Sequence, residues 1–595
     1  MSSSPKSVRL AWRLWPDLEV PRALRALVRA RESSLLLLGA LIGAMAGLVV
    51  AAMSLVVSWL HAVFFALPPG ERLSAQPTLD PYMAVLVPSL GGLVFGLAVF
   101  ALMRWRPGRE VDPIEANALH GGRMSLPGSV IVALQTLWSS GVGASVGLEA
   151  GYTQLASGIA SWIGRRFNLR RRDLRVLVGC GAAGAIAGAF GAPLAGAFYA
   201  FELVIGSYSA ASLAPVGLSA LLGYLVANAF NPSPLGIGAL YVVHVTGRDV
   251  AIAGALGLAA AGAGIALMRG VALCEAVLNW LRVPPMLRPA LGGLAVGLMA
   301  QASPQVLSSG HGAMHLAAMF SGPVRETALL FLLKALASVV SLGAGFRGGL
   351  FFSSLLLGAL GGHMFAGGLT FLWPALALDP HVYAIVGLGA LSVSVIGGPL
   401  TMTFIALETT GDLWLTTAVL VAVIVSAQVT REMFGYSFAT WRFHLRGESI
   451  RSAADVGWIR DLTVRRMMRA DMRTVPAHTT VARFRLVFPL GSTANVVALH
   501  ENKDYAGIVQ VVEAHAPELD ETKPVRDILH HPDATLLPTM TIKEAVAAFD
   551  KAEAEALAVI QSGESRRVVG LLSEAYALRR YSEQLELRRQ ELVGE

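Results

Sequence analysis

The chain has 595 residues, of which 54% are hydrophobic and 15% are charged, and it carries a formal net charge of +7. Its mean hydropathy is positive, at +0.59. This balance lies outside the range of soluble globular domains and predicts a polytopic α-helical membrane protein. Neither a nucleic-acid partner nor a bound metal is predicted.

The motif content argues against an enzyme. The chain has no HExxH helix, no Walker loop and no cluster of histidine, cysteine and carboxylate residues with metal-site spacing. Cys180 and Cys274 lie inside apolar segments without a CxxC partner, so we interpret both as packing residues. His311, His315 and His363 are scattered in glycine-rich apolar segments, where packing or interfacial positions are the simplest interpretation.

The N-terminal segment, residues 1–32, carries seven basic and three acidic side chains and lacks the apolar core of a secretory signal. The positive-inside rule therefore predicts a cytoplasmic N-terminus. A transmembrane domain is predicted over 33–443, since apolar stretches recur there and several exceed the roughly 20 residues that a spanning helix needs. These stretches are 34–60, 82–103, 129–163, 174–205, 210–230, 250–273, 286–300, 327–343, 349–376, 382–407 and 413–428.

Glu149 is the only charged side chain between Arg123 and Arg165. An ionisable group at that depth is costly, which favours a functional role. Residues 155–163 are predicted to form a helix whose first N–H groups point back toward Glu149, and such a helix start attracts anions. An ionised carboxylate would occupy the anion's place and a protonated one would vacate it, which makes Glu149 a candidate gate. The structural alternative is a lone glutamate paired with an arginine or placed at a helix end.

An internal repeat appears at an offset of 206 residues. Residues 181–202 and 387–408 share seven identities in register, including the Gly-x-Pro-Leu helix start and a closing glutamate, Glu202 or Glu408. Two similar halves, about 33–230 and 250–443, predict a transporter fold with inverted repeats, broken helices and a site at the repeat interface. The alternative is chance recurrence of a common Gly-Pro-Leu helix start.

The C-terminal part of the chain is more polar. Residues 444–460 are predicted to be a linker, 461–582 a cytoplasmic α/β domain and 583–595 a tail. Val464 to Met468 recurs as Val525 to Leu529, and each copy is followed by a helix and two apolar strands. The domain therefore contains two β-α-β-β units of about sixty residues.

These motifs resemble the CLC family of chloride channels and proton/chloride exchangers, with a C-terminal pair of CBS domains. The match is most specific over 181–203. Residues 147–151, Gly-Leu-Glu-Ala-Gly, are similar to the family's GREGP stretch, which implies that Glu149 is the external gating glutamate. Residues 348–353 are similar to its GGIFxP stretch. The resemblance implies an anion site formed by Gly147, Leu148, Leu350, Phe351 and Tyr436.

The chain also departs from the family pattern. Leu148 and Gly151 replace the Arg and Pro of the first motif, and Ser353 replaces the final Pro of the third. The GSGIP element is not visible, and its expected place is 109–117. Family exchangers carry a second, internal glutamate for protons where this chain has Leu203.

Two functions remain open. The first is passive transport of chloride or another anion through a pathway gated by Glu149, with absent or weak proton coupling. Neutral donors suit conduction because binding must be weak enough for the ion to leave. No lysine or arginine lies within the motifs, and Arg347 stands just outside one of them. The motifs therefore supply neutral donors, which favours conduction. The alternative is an anion/proton antiporter with an unconventional inner proton path. Glu202 is one candidate for that path, but its repeat partner Glu408 favours a structural role at matching helix ends.

The resemblance also implies partners and location. It implies a homodimer with one pathway per subunit, in the cell (inner) membrane, with both termini cytoplasmic and a proton exchanging at Glu149. CBS pairs often bind adenine nucleotides through a Thr or Ser and an Asp three residues on. Positions 510–513 and 573–576 do not keep that pair, so no cofactor is predicted and a structural dimerisation role is favoured.

Overall fold

The computed structural model describes residues 32–68, 71–105, 110–230, 245–314, 323–435, 437, 440–441, 463–502, 504–563, 565–580 and 583. The chain divides into two compact units, Met1–Asp455 and Val456–Glu595. The predicted linker, residues 1–31, His315 and Tyr436 lie outside the described residues.

The first unit is helical. Within its described residues, eight helices are long and apolar enough to cross a membrane, and the chain is a multi-pass membrane protein. The helices are α1 (Glu32–Phe65), α2 (Pro81–Trp105), α3 (Pro113–Leu119), α4 (Leu126–Gly141), α5 (Glu149–Arg166), α6 (Arg171–Phe190), α7 (Pro193–Tyr199, continued by a π-helical turn, Ala200–Ile205), α8 (Ala210–Phe230), α9 (Gly247–Trp280), α10 (Arg288–Ala300), α11 (His311–Met314), α12 (Val324–Gly343), α13 (Phe351–Leu372), α14 (Pro380–Ile396), α15 (Pro399–Thr410) and α16 (Leu413–Met433).

The sequence repeat is also a repeat of backbone conformation. Gly191 ends α6 and Gly397 ends α14, both in the left-handed region, at φ 66° and 88°. The next residues have nearly the same dihedral angles, φ −132° and ψ 86° at Ala192 and φ −132° and ψ 85° at Gly398. A proline then begins the following short helix in each half. A shared turn of this detail argues against chance recurrence of a Gly-Pro-Leu start.

Small residues allow the helices to cross closely. A Cβ on Gly223 of α8 would lie 2.5 Å from the Cα of Gly184 in α6, and a Cβ on Gly358 of α13 would lie 2.8 Å from the Cα of Leu388 in α14. Neither position has room for a side chain. Close packing through glycine is typical of membrane helices, which gain nothing from burying apolar surface against one another.

The second unit contains the two predicted β-α-β-β copies. In the first copy, β1 (Thr474–Pro476) runs parallel to β2 (Asn495–Leu499), which pairs antiparallel with β3 (Tyr505–Gln510). The second copy repeats this order with β4 (Thr535–Leu536), β5 (Ala556–Ile560) and β6 (Val568–Ser573). The helices of the two copies are α17 (Val464–Met467), α18 (Val481–Val487), α19 (Val511–Ala514) and α20 (Ile542–Ala552), with a 3₁₀ turn at Val525–Ile528.

The two copies pack against each other. Asp504 and Arg567 form an antiparallel bridge, and the Tyr505 amide donates to the Arg566 carbonyl at 3.0 Å. One apolar cluster takes Val497 and Ile508 from the first copy together with Ala558, Ile560 and others from the second. The copies therefore share a core and form one compact pair.

Candidate functional site

Two motifs that lie about two hundred residues apart in the chain meet through their backbones. The Gly147 amide donates to the Gly349 carbonyl at 2.9 Å, and the Gly349 amide donates to the Gly147 carbonyl at 3.1 Å. This bridge precedes α5 in the first half and α13 in the second half. The starts of these two helices are thereby held side by side at the repeat interface. Because the Gly147 N–H is engaged here, direct donation from it to an anion would require the bridge to open.

The Glu149 side chain lies at this junction and is only 5% exposed. Its Oε1 accepts a hydrogen bond of 3.0 Å from the Phe352 amide in the first turn of α13, and its Oε2 has no hydrogen-bond partner among the described residues. The expected helix over 155–163 in fact begins at Glu149 itself. The donor facing the carboxylate therefore belongs to the other half of the molecule, one residue beyond the expected Leu350 and Phe351.

The two bridging glycines make the space for this carboxylate. A Cβ on Gly147 would lie 2.5 Å from Glu149 Oε1, closer than a real Cβ approaches any atom, and a Cβ on Gly349 would lie 3.0 Å from Oε2. Any larger residue at 147 would displace the carboxylate. Gly147 is thus required by the position of the Glu149 side chain, whereas a Cβ on Gly349 would need the carboxylate to shift by a few tenths of an ångström.

A cavity opens beside Glu149, and we call it the Glu149 cavity. Leu148 forms part of its wall. Several helices and loops contribute polar residues to its lining, among them Ser54, Ser58, His61, Arg72, Ser140, Tyr152, Ser308, Ser309 and His311. The His311 ring stacks on Phe352, with ring centroids 3.4 Å apart. Packing is thus only part of the role of His311, because this histidine also lines the cavity next to Phe352, whose amide donates to Glu149.

Aromatic side chains fill the space beside the start of α13. Leu350 and Phe351 are 1% and 3% exposed. The Phe351 ring packs on Phe190 at 4.5 Å and on Tyr199 at 6.0 Å between centroids. The Tyr199 ring therefore lies next to the start of α13, a position that its place in the repeat motif did not predict.

A second cavity, the Leu203 cavity, lies at the turns that end the repeat motifs. It is lined by Ile114, Phe201, Glu202, Leu203, Gly206, Tyr208, Val393, Ser394, Gly397, Pro399, Ala427, Thr430, Arg431, Gly435, Ser437 and Thr440. Leu203 is half-buried in this wall. Ser437 and Gly435 flank Tyr436, which lies outside the described residues.

The place expected for GSGIP holds the start of α3. Pro113 is the first helical residue, and the Asp112 carboxylate caps the helix by accepting from the Ile114 amide at 2.8 Å. A carboxylate therefore stands at a helix start where the family motif supplies a serine. An anion at this position would meet the negative charge of Asp112.

The paired glutamates of the repeat cap each other's helices. The Glu202 carboxylate accepts from the amides of Leu400 and Thr401, both at 2.9 Å, and from the Thr401 hydroxyl at 2.6 Å. Glu408 accepts from the amides of Leu194 and Ala195 at 2.7 and 2.9 Å. The geometry agrees with the structural role expected from the repeat, and it adds that each glutamate acts on the opposite half.

No metal site is apparent among the residues the structure describes, which contain no group of three or more metal-ligating side chains. In the second unit, Gln510 and Ser573 occupy equivalent places at the ends of β3 and β6. Among the described residues of this unit, the structure adds no candidate nucleotide ligands to the positions 510–513 and 573–576 considered from the sequence.

The two repeat-related halves of this helical membrane protein meet at a buried carboxylate. One cavity lies beside the carboxylate and another lies at the repeat turns. This arrangement is that of the class of ion transport proteins. A family model described as voltage gated chloride channel matches residues 91–431, more than half of the chain. The chain is a member of this CLC family.

Individual relatives agree with this assignment. A putative chloride channel protein, ClcB-like, from Ralstonia nicotianae is 33% identical over 354 residues, which cover 57% of this chain and 81% of the relative. The structure of a eukaryotic CLC transporter superposes with a TM-score of 0.59 at 18% identity, covering 93% of this chain and 98% of the other. A slow cyanobacterial Cl⁻/H⁺ antiporter gives a TM-score of 0.58 at 20% identity, covering 69% and 97%. These likenesses establish the fold.

Proposed function

We propose that this protein conducts chloride or another small anion passively across the membrane, through a pathway that the Glu149 carboxylate opens and closes. The observation that carries the proposal is the position of that carboxylate. Glu149 accepts from the first turn of α13 and leaves Oε2 without a partner among the described residues, beside a polar cavity. A helix start with unsatisfied N–H groups favours negative charge, and a carboxylate there competes directly with an anion.

The pathway would bind the anion with neutral donors. The start of α13 supplies N–H groups near Leu350 and Phe351, and Leu148 lines the Glu149 cavity. The family resemblance adds the backbone of Gly147 and the hydroxyl of Tyr436. Such donors replace the hydration shell of the ion without holding it as tightly as a contacting lysine would. Weak binding at several places is what conduction requires.

Leu203 supports weak or absent proton coupling. The leucine cannot carry a proton, and it stands where the family resemblance places the internal glutamate of the exchangers. Glu202, the neighbouring carboxylate, already accepts three hydrogen bonds from the start of α15. The relative from Ralstonia nicotianae is itself named as a putative chloride channel protein.

The second candidate is an anion/proton antiporter, and a specific observation favours it. Glu202 lines the Leu203 cavity, while the Tyr199 ring packs on Phe351, the neighbour of the residue that donates to Glu149. A route from Glu202 past Tyr199 to Glu149 would provide the unconventional inner proton path that an antiporter needs in the absence of a glutamate at 203.

The reversal potential of the wild-type protein decides between these functions when a chloride gradient is crossed with a pH gradient. A passive pathway predicts a reversal potential that follows the chloride gradient and is unaffected by the pH gradient. A potential that moves with the pH gradient in a fixed ratio of anion to proton would establish the antiporter.

The wider arrangement is part of the same proposal. The transmembrane domain, 33–443, would form homodimers with one pathway per subunit in the inner membrane. The N-terminal segment 1–32, the linker 444–460, the CBS pair 461–582 and the tail 583–595 would all be cytoplasmic. The Glu149 cavity would then open to the outside and the Leu203 cavity to the cytoplasm.

A further inference from the structure

Lys334 is a buried cation inside the membrane domain. It lies in the middle of α12, and its side chain is 0% exposed. It is the only lysine or arginine among the buried residues of the described chain. A fully buried lysine in a membrane-spanning helix is costly and therefore calls for a functional explanation.

The Lys334 amino group is held by two backbone carbonyls. Lys334 Nζ donates to the Ser308 carbonyl at 2.7 Å and to the Val306 carbonyl at 3.1 Å. Both carbonyls belong to the segment before α11, and Ser308 lines the Glu149 cavity. Carbonyl oxygens satisfy the protons of an ammonium but cancel only part of its charge. In the part of the chain that the structure describes, Lys334 forms no ion pair within salt-bridge distance.

The negative group that we assign to this charge is Glu149. Glu149 lines the Glu149 cavity, and so does Ser308, whose carbonyl accepts from Lys334 Nζ, so the two ionisable side chains belong to the same buried region. Because both are buried, water screens their attraction only weakly. With Glu149 ionised in its place, the negative charge of the carboxylate opposes the charge of Lys334 in a cavity that Arg72 also lines. When the carboxylate is protonated or moves away, the charge of Lys334 is left uncompensated.

We propose that Lys334 is the fixed countercharge of the anion site that Glu149 vacates, so that an entering anion restores the neutrality which the carboxylate provided. This inference rests on the proposed gate function of Glu149. Lys334 acts on the anion at a distance and is not a direct ligand, because its amino group donates to the carbonyls of residues 306 and 308. It also supplies a positive charge in a site whose first motif has Leu148 in place of an arginine.

The test is chloride binding to the full-length protein in detergent, measured by isothermal titration in the Glu149→Gln background, where the site is vacated. Adding Lys334→Gln keeps an N–H donor for the loop carbonyls and removes the charge. We expect this change to weaken chloride binding by about tenfold or more, the size of one charge–charge interaction in a protein interior. Lys334→Arg in the same background keeps the charge and should bind chloride with nearly the affinity of Glu149→Gln alone.

A rescue variant separates charge from loop structure. Leu148 lines the same cavity as Ser308. Adding Leu148→Arg to Glu149→Gln/Lys334→Gln should recover much of the lost affinity if charge is what matters. A structural role of Lys334 in holding the loop would not be rescued in this way, and failure of the rescue would overturn the proposal.

The remaining outcomes are also decisive. Equal chloride affinity with and without Lys334→Gln would overturn the countercharge while leaving the gate intact. Absence of chloride binding in Glu149→Gln itself would instead overturn the proposed function, and the countercharge with it. If Lys334→Gln does not fold, Lys334→His in the Glu149→Gln background should bind chloride more tightly at about pH 5.5 than at about pH 8, since histidine is charged only at the lower pH. The Glu149→Gln protein alone is the control, and an equal pH response in the two proteins would contradict the proposal.

Discussion

At the scale of single residues, the site depends on a carboxylate held in a space that two glycines leave open. Glu149 is held in that space by a hydrogen bond from the Phe352 amide. This donor becomes available to an anion when the carboxylate leaves. The same features that close the pathway therefore also prepare it to bind its substrate.

Gly147→Ala should hold the gate open. The new Cβ would lie 2.5 Å from Glu149 Oε1, so the carboxylate must give up its hydrogen bond with Phe352. A hydrogen bond to a charged group contributes about 1.5–3 kcal/mol, so the open state should gain roughly tenfold or more in population. Chloride efflux from liposomes at neutral pH should rise and its pH dependence should weaken. Gly262→Ala in α9 is the control, because a Cβ on Gly262 meets nothing within 4 Å. Unchanged efflux in Gly147→Ala would show that the carboxylate position does not limit flux.

Leu203→Glu should introduce proton movement. The substitution places a titratable group in the wall of the Leu203 cavity, next to Glu202, where the family's exchangers carry their internal glutamate. Proton uptake driven by an outward chloride gradient should be absent or weak in wild type and measurable in Leu203→Glu. Leu203→Gln has a similar shape and cannot titrate, so it should behave as wild type. Equal proton uptake in the Gln and Glu variants would exclude proton transfer through position 203.

At the scale of elements, the two halves are joined by reciprocal helix caps. Each short helix after a Gly-x-Pro turn has its first amides bound by the glutamate that ends the corresponding motif in the other half. A carboxylate at a helix N-terminus satisfies donors that have no intrahelical partner and interacts favourably with the helix dipole. The pair of caps therefore stabilises the contact between α7 and α15.

Glu408→Gln should destabilise the membrane domain. Its neutral side chain retains one acceptor for the amides of Leu194 and Ala195, so we expect a loss of about 1–3 kcal/mol, typical of hydrogen bonds to charged groups. A thermal-stability measurement in detergent, read by the loss of the monodisperse peak on size-exclusion chromatography, would report it as a lower melting temperature. Glu275→Gln, at an exposed position near the end of α9, is the matched control. An equal melting temperature for the two variants would show that the cap adds nothing.

The elements also show what the sequence could predict. Glu149 stood out because no other charge lies near it in the chain, and Glu202 was linked to Glu408 by the repeat. The donor on Phe352, the stacked ring of His311 and the buried charge of Lys334 were not predictable in the same way. Each comes from a segment more than 150 residues away, and its approach to Glu149 depends on how α11, α12 and α13 pack. Lys334 in particular is one charge in an ordinary apolar helix, and only its burial reveals its role.

At the scale of the whole molecule, we expect a homodimer. The described part of α8 has a row of exposed residues spaced four apart, with Leu213 at 58%, Leu221 at 44% and Leu225 at 49% exposure and Gly217 between them. Leu413 and Trp414 of α16 are also exposed, at 71% and 69%. These residues belong to the apolar stretches 210–230 and 413–428 of the transmembrane domain. Mass measurement in detergent should give twice the 62.6 kDa chain mass, and a clean monomer with full flux would contradict the prediction.

The central claim is that anions pass through a single pathway controlled by the charge of Glu149, and chloride efflux from liposomes at two external pH values tests it most directly. External acid should protonate Glu149, release its hold on the start of α13 and increase the efflux of the wild-type protein. Glu149→Gln, which is neutral at every pH, should carry at least the acid-activated wild-type flux at both pH values. A folded Glu149→Gln protein without chloride flux, or one that keeps the wild-type pH dependence, would contradict the account.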